Sequence, residues 1–240
     1  MGSKNPAMEK IPLYLKTDPK MPRPQDQEYY LLAQDGLYFC RNHPFFKSDV
    51  PTERLPRWLE EHKSKCEFRF PKLGQAALEF IVGFFDRIYE WYGSEAIVFL
   101  LWNPQKKRHR LLVPEQEATV WQSVAGPRSA QDVRYELPKL IPPGYILVGD
   151  IHSHADHTAH SSWTDQKDER HRDGLHGVVG RIDQEPPDFH LELVVDGQRF
   201  RVDFDLFFEG YEKRRRIVPR AWTDKVKVKV EGPWWTSSPR

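Results

Sequence analysis

Residues 145–170 read YILVGDIHSHADHTAHSSWTDQKDER, and this stretch decides the fold. The apolar run at 145–148 predicts a buried strand that continues into Gly149. His152 and His154 then follow two residues apart. Side chains at positions i and i+2 of a strand point to the same face, so the two imidazoles share one side of a rigid element.

A helix start follows this histidine pair. Ser162 and Asp165 lie three residues apart and read as the first turn of a helix that continues to Arg170. The carboxylate of Asp165 can therefore approach the two imidazoles. Two nitrogen ligands and one oxygen ligand suit Zn²⁺ in a catalytic site, where the fourth tetrahedral position is left for water.

Each part of this pattern also has a purely structural explanation. Ser162-x-x-Asp165 before a helical stretch is close to a capping box, in which the two side chains bind backbone N–H groups. The region is also rich in histidine, with further copies at His157, His160 and His171. The combination of a strand, a His-x-His pair and a Ser-x-x-Asp helix start is what favours a metal site.

The pattern H-S-H-x7-S-x-x-D, from His152 to Asp165, resembles the signature of the JAMM metalloproteases, also called MPN-plus or JAB proteins. The resemblance implies a fold similar to that of cytidine deaminases and a Zn²⁺ ion bound by His152, His154 and Asp165. It implies that Ser162 hydrogen-bonds the oxyanion of a tetrahedral intermediate. It also implies cleavage of isopeptide or peptide bonds after ubiquitin-like modifiers.

Members of that family carry a glutamate at the start of a strand that follows a long amphipathic helix. Residues Leu73 to Tyr92 repeat apolar side chains at three- and four-residue spacing, and the apolar run from Ala96 to Trp102 predicts a buried strand. Glu95 precedes that strand, and by resemblance it is the general base. Less well placed competitors are Glu115, Glu117 and Glu136. The resemblance covers about Leu73 to Phe208.

The match to the family has two departures. Family members usually have proline directly after the second histidine and often before the serine, where this chain has Ala155 and Ser161. A looser spacer would let His157 or His160 reach the metal and block it in a resting form.

We expect an α/β fold in which a mixed β-sheet is flanked by helices, with a small N-terminal accessory lobe. Residues 1–7 resemble an expression scar, 8–72 form the lobe, 73–218 form the JAB/MPN metalloprotease domain, and 219–240 form a C-terminal tail. The lobe either binds a partner or substrate or covers an edge of the main sheet.

Local patterns add detail to these parts. Residues 28–40 predict a hairpin that turns at Asp35-Gly36, and Phe189 to Leu206 predicts one that turns at Asp196-Gly197. In the tail, Val226 to Val230 alternates Val with Lys, and Trp234-Trp235 follows. This tail either adds a strand to a sheet edge or is disordered.

The bulk composition limits the partners and the compartment. The net charge of +1 disfavours nucleic acid or an anionic membrane as a partner, and no apolar stretch reaches the length of about 20 residues that a membrane helix needs. Cys40 and Cys66 are too few for a disulfide framework or a Cys-based zinc site. We therefore expect a cytoplasmic protein.

Three functions agree with the sequence to different degrees. The first is a zinc isopeptidase or peptidase acting on a ubiquitin-like protein or its conjugates. Bacterial relatives with an N-terminal lobe occur in operons that also encode activating and conjugating enzymes, some of them antiphage. The second is a peptidase for a sulfur-carrier protein. The third is a non-catalytic MPN scaffold, which would have a broken ligand set. A zinc base deaminase needs a Cys-x-x-Cys pair, and the chain has none.

Overall fold

The computed structural model describes residues 10–138 and 140–233. The chain divides into two compact units, Met1–Ser64 and Lys65–Arg240. The sequence predicts the end of the accessory lobe at Lys72, whereas the first unit ends at Ser64, because Phe68 and Phe70 pack against the core of the second unit. The expected expression scar at 1–7 lies outside the described residues.

The first unit is built around a four-stranded sheet with the order β1-β2-β3-β4. Its strands are β1 (Leu13–Leu15), β2 (Glu28–Ala33), β3 (Gly36–His43) and β4 (Phe46–Pro51). The predicted hairpin is present, but its turn is one residue earlier than expected. Ala33 pairs with Gly36, so Gln34 and Asp35 form the turn. The Asp35 carboxylate accepts a hydrogen bond of 2.7 Å from the Tyr38 hydroxyl beside this turn.

The second unit is of the mixed α/β class that the sequence predicts. Its helices are α1 (Gln75–Tyr92), α2 (Trp163–Glu169), α3 (Phe204–Phe207) and α4 (Arg220–Thr223). Its strands are β5 (Ile97–Asn103), β6 (Arg108–Leu112), β7 (Gln116–Gln122), β8 (Arg128–Tyr135), β9 (Ile146–Ser153), β10 (Gly174–Gly180), β11 (Asp188–Val195), β12 (Gln198–Arg201) and β13 (Val226–Glu231). In the described residues, no helix has both the length and the apolar character that a membrane crossing requires.

Helix α1 confirms the prediction from three- and four-residue spacing. Its apolar side chains form one buried face of the core, at Leu78, Ile81, Phe84, Phe85 and Ile88. Trp91, which the spacing also assigns to this face, is half exposed and lies against the guanidinium of Arg87. Gly93 ends the helix in the left-handed conformation with φ of 66°, and its N–H donates to Tyr89 O at 2.7 Å.

The main sheet has six strands in the order β12-β11-β10-β9-β5-β6. Strand β9 lies in its middle, parallel to β10 and antiparallel to β5, so the sheet is mixed. Gly149 in β9 lies so close to β10 that an added Cβ would be 1.9 Å from Leu175 O. A glycine is therefore required here, immediately before the two histidines.

The hairpin of β11 and β12 has the predicted turn, because Val195 pairs with Gln198 and Leu193 faces Phe200. The predicted second strand is too long, since β12 ends at Arg201 and Phe204–Phe207 is helical. This helical turn lets Phe207 and Phe208 both enter the core, which a strand could not do with adjacent residues.

A second sheet in this unit has three strands in the order β13-β7-β8. Val226–Glu231 of the tail runs parallel to β7, so this part of the tail adds a strand to a sheet of its own chain. Trp234-Trp235 lies outside the described residues. The single sheet expected from the sequence is thus divided into a six-stranded and a three-stranded sheet.

Candidate metal centre

The two histidines lie at the end of β9, on a face shared with β5. Ile97 pairs with His152, and the Ser153 N–H donates to Ala96 O at 2.9 Å. Both imidazoles are buried, with 6% of His152 and 7% of His154 exposed. Their Nε2 atoms lie 3.2 Å apart. The strand therefore presents two nitrogen ligands side by side at the predicted positions.

Helix α2 places Asp165 against this pair. Asp165 Oδ2 lies 3.3 Å from His154 Nε2, and Asp165 Oδ1 lies 3.5 Å from His152 Nε2. Ser162 is the residue that caps the helix, and it forms the full capping box with Asp165. The structural and the ligand interpretations of Ser162-x-x-Asp165 are thus compatible, because capping orients the Asp165 carboxylate towards the imidazoles.

The spacing of the three side chains fits a tetrahedral zinc ion. Ligand atoms at about 2.0–2.1 Å from a tetrahedral ion lie about 3.3–3.4 Å from one another. The observed separations between His152, His154 and Asp165 are 3.2, 3.3 and 3.5 Å. All three ligand types are ones that Zn²⁺ accepts. The three side chains therefore lie close enough together to share one metal ion.

The electrostatics of the group favour a positive charge at its centre. Burial raises the pKa of Asp165, but hydrogen bonds with His152 and His154 outweigh burial and hold this pKa well below its usual range. Burial lowers the pKa of His152, but the Asp165 carboxylate raises it to about 9. The negative charge of Asp165, which stabilises a proton on the His152 imidazole, would also stabilise a metal cation at the same place.

Glu95 lies next to this group, two residues before β5 begins. It lines the same cavity as His152 and His154 and interacts electrostatically with both imidazoles. Burial raises the pKa of Glu95, while the two histidines lower it, so that the net shift is upward. A raised pKa suits a group that takes up and returns a proton near neutral pH.

A cavity of about 480 Å³ opens over these residues. Its lining includes Glu95, His152, His154, Ser162 and Asp165, which are all the site residues that the sequence predicts. Among the described lining residues, the competing glutamates Glu115, Glu117 and Glu136 do not occur.

Comparison with known protein families identifies the domain that carries this site. Residues 84–194 match the model of the prokaryotic homologues of the JAB domain, and this segment contains Glu95 and all three candidate ligands. Residues 84–194 form a JAB domain. Neither the comparison with curated proteins nor the comparison with solved structures gave a match.

Two further histidines, His157 and His160, line the JAB-domain cavity. The His160 ring packs edge-on against that of His154, with centroids 5.1 Å apart, and His160 Nδ1 lies 2.9 Å from Thr158 O. His157 also lines the cavity. Neither belongs to the close group of His152, His154 and Asp165. The loop between the candidate ligands thus keeps both side chains outside the close group of ligand atoms.

A buried polar cluster behind the metal group was not predicted from the sequence. Asp150 is 1% exposed, and its Oδ2 lies 3.0 Å from His176 Nδ1 and 2.8 Å from Arg172 Nη2. Glu169 is 3% exposed, although a stretch as polar as Gln166 to Asp173 is typical of a protein surface. Its partner is Arg199, whose Nη2 donates to Glu169 Oε2 at 2.7 Å.

One signal for Asp150 is visible in the sequence. Asp150 lies two residues before His152 and therefore on the same strand face, in a run that is otherwise apolar. Burial raises the pKa of Asp150, but His176 and Arg172 outweigh burial and lower it. Glu169, Arg199 and His176 carry no comparable signal, since their pairing depends on contacts between distant parts of the second unit.

Proposed function

We propose that this protein is a zinc-dependent isopeptidase or peptidase that cleaves after the C-terminal glycine of a ubiquitin-like protein. The substrate is either a conjugate or a precursor of that protein. The proposal is supported by the JAB domain and by the triangle formed by His152, His154 and Asp165. The single observation that carries it is the spacing of these ligand atoms beneath a cavity that Glu95 also lines.

The three ligands would hold the zinc ion through two imidazole nitrogens and a carboxylate. A zinc ion in this place would supply Lewis acidity and allow water to attack at neutral pH. Glu95 is the general base. It accepts a proton from the attacking water and delivers a proton to the departing amine as the C–N bond breaks. Its partly buried position favours this exchange, since it retains a proton more readily than an exposed glutamate.

Ser162 is suited to stabilise the oxyanion of the tetrahedral intermediate. Its Oγ accepts the N–H of Asp165 at 3.2 Å, so its own hydroxyl hydrogen is free to donate to another acceptor. The side chain lines the cavity next to the ligands. A hydroxyl that is already oriented by a helix cap needs no reorganisation when negative charge develops on the carbonyl oxygen.

An extended substrate tail fits the wall of the cavity opposite α2. Ala130, Asp132 and Val133 of β8 form part of this wall. Strand β8 is at the edge of its three-stranded sheet, so its outer backbone groups can pair with an added strand. This would place the end of an extended peptide beside the ligands. The preference for a terminal glycine rests on the resemblance to JAMM proteases.

The setting proposed for this activity is a bacterial ubiquitin-like pathway in the cytoplasm. The conjugating-pathway enzymes would be further partners, and antiphage defence is one role of such pathways. A sulfur-carrier peptidase would use the same chemistry with a different leaving group. A non-catalytic MPN scaffold is disfavoured, because the ligand set is intact and its atoms converge.

The test is a cleavage assay with ubiquitin-like fusions. A reporter is joined to the terminal glycine, either through its N-terminus or through a lysine side chain, and the products are identified by mass spectrometry. We expect a cut directly after the glycine, loss of cleavage in a chelator, and recovery on adding Zn²⁺. Cleavage that persists in the chelator would contradict the zinc mechanism. No cut in any fusion by zinc-loaded protein would contradict the peptidase assignment.

A further inference from the structure

Arg199 connects three segments of the JAB domain through one side chain. It belongs to β12, which carries none of the candidate ligands, and its side chain is 19% exposed. Its Nη2 donates to Ser161 Oγ and to Glu169 Oε2, both at 2.7 Å. Its Nε donates to Glu192 Oε2, also at 2.7 Å. A guanidinium holds its five N–H donors in a rigid planar fork, whereas the three donors of a lysine ammonium share one freely rotating nitrogen.

Two of the contacts made by Nη2, those to Ser161 and Glu169, lie on either side of Ser162 and Asp165. Ser161 directly precedes Ser162, and Glu169 is the last residue of α2, one helical turn after Asp165. Glu169 is 3% exposed, and a carboxylate buried to this extent is costly without a cationic partner. Arg199 thus fixes both ends of the segment that presents Ser162 and Asp165.

The same cluster extends to the strand that carries the histidines. Glu169 Oε1 lies 3.6 Å from His176 Nδ1, which lies 3.0 Å from Asp150 Oδ2. Asp150 is two residues before His152 on β9. A chain of buried polar contacts therefore connects the helix with the oxygen ligand to the strand with the nitrogen ligands.

A second cation site is the other way to interpret this cluster. Asp150, His152 and Glu169 have potential ligand atoms within 4.8 Å of one another. However, Arg172 already faces Asp150, and Arg199 already faces Glu169, so both carboxylates are charge-compensated. In contrast, the ion-pair partners of Asp165 among the described residues are His152 and His154 alone, and no arginine faces it. The cluster at Asp150 and Glu169 is therefore a support for the metal group and not a second metal site.

We propose that Arg199 is a positioning residue for the metal centre, acting through its hydrogen bonds to Ser161 and Glu169. The inference rests on the proposed function, since it assigns Arg199 to the same site. Arg199 lies outside the segment that matches the JAB family model, which ends at residue 194. Partners outside the ligand set typically change metal affinity or activity by about 10- to 100-fold when they are removed.

The experiment compares Arg199→Met with Arg201→Met in the full-length protein. Arg201 is an exposed arginine of the same strand that contacts His190 and makes no contact with Ser161 or Glu169, so it is the matched control. For each variant, Zn²⁺ affinity is measured by competition with a chromophoric chelator, and the visible spectrum is recorded with Co²⁺ in place of zinc. Thermal unfolding shows whether each variant is folded.

We expect Arg199→Met to weaken Zn²⁺ binding by about 10- to 100-fold and to change the Co²⁺ spectrum at saturation. Arg201→Met should match the wild type. If Arg199→Met does not fold, Ser161→Ala replaces it. This variant removes the Ser161 hydroxyl, which is one of the two Arg199 acceptors in the proposal. We expect it to lower kcat more than it changes KM.

The outcomes separate the two proposals. Wild-type affinity, spectrum and kcat in the Arg199→Met or Ser161→Ala protein would overturn the positioning role and leave the protease assignment intact. A wild-type protein that binds no zinc would overturn both. A wild-type protein that binds zinc but cleaves nothing would overturn only the assigned reaction, because metal affinity and the Co²⁺ spectrum still report the effect of Arg199.

Discussion

Ser162 and Asp165 bind each other in both directions at the start of α2. The Ser162 N–H donates to Asp165 Oδ2 at 2.7 Å, and the Asp165 N–H donates to Ser162 Oγ at 3.2 Å. One pair of residues thus caps a helix and orients the carboxylate of a candidate metal ligand. The two roles of Ser162 can be separated, because glycine replaces a capping serine at a cost of a few tenths of a kcal/mol, whereas alanine costs about 1 kcal/mol.

Replacing Ser162 with Ala or Gly should have equal effects on catalysis and unequal effects on stability. Both changes remove the hydroxyl that we assign to the oxyanion, so kcat should fall by about 10²- to 10³-fold in each. Ser162→Ala alone should lower the free energy of unfolding noticeably. Steady-state kinetics and chemical denaturation test this pair. If kcat decreased only in Ser162→Ala, the variant that also loses stability, the role of Ser162 would be limited to capping the helix.

Replacing Glu95 with Gln should remove turnover while metal binding is retained. The amide cannot accept a proton from water, and general-base catalysis typically contributes about 10²- to 10⁴-fold. Glu115→Gln is the control, because Glu115 is exposed and lies outside the cavity lining. Kinetics and elemental analysis are measured on the same samples. Full activity in Glu95→Gln would mean that another group is the base.

Replacing His152 with Ala should abolish both metal binding and activity. One of the three ligands is then missing, and the Asp165 carboxylate loses a hydrogen-bond partner. Zn²⁺ should raise the unfolding temperature of the wild type but not of this variant, since a ligand stabilises only a folded state that binds it. The control is His171→Ala, an exposed histidine just after α2. Stoichiometric zinc in His152→Ala would refute the assigned ligand set.

The stability of the second unit should decrease at acidic pH through His109. Burial lowers the pKa of His109, whose Nε2 lies 3.0 Å from Pro71 O and whose ring packs near Trp102 and Phe207. The stabilising contribution is present above the unfolded pKa of about 6.5 and is lost as pH falls through the lower folded value.

His109→Phe should therefore show a weaker dependence of unfolding free energy on pH between about 7.5 and 5 than the wild type. Denaturant titrations at several pH values measure this difference. Identical pH profiles for the two proteins would show that His109 does not titrate on unfolding.

The predictions that succeeded depend on local periodicity. Helix α1 and the Leu193–Phe200 register follow from the repeat of apolar residues along short stretches of chain, where side-chain direction is set by backbone geometry. The assignment of the three ligands stays a prediction, and it too rests on a local pattern, because His152 to Asp165 spans only a strand end, a loop and one helical turn.

The predictions that failed involve residues whose environment depends on distant contacts. Glu169 reads as a surface residue until Arg199, thirty positions later, is placed beside it. The pattern of apolar residues from Phe204 to Phe208 agrees with either a strand or a helical turn. Only the core contacts of Phe207 and Phe208 favour the helical turn. The assignment of β8 to a separate sheet likewise requires knowing that the tail pairs with β7.

The pairing of Val226–Glu231 with β7 has a practical consequence for truncated or fused versions of the protein. Cutting the chain before Val226 would leave β7 and β8 as an isolated ribbon, and two strands alone are marginally stable in water. Because β8 forms a wall of the cavity, such a shortened protein should bind an extended peptide more weakly, while the candidate metal ligands, which lie outside this three-stranded sheet, remain in place. An affinity tag is therefore better attached at a position that leaves Val226–Glu231 free to pair with β7.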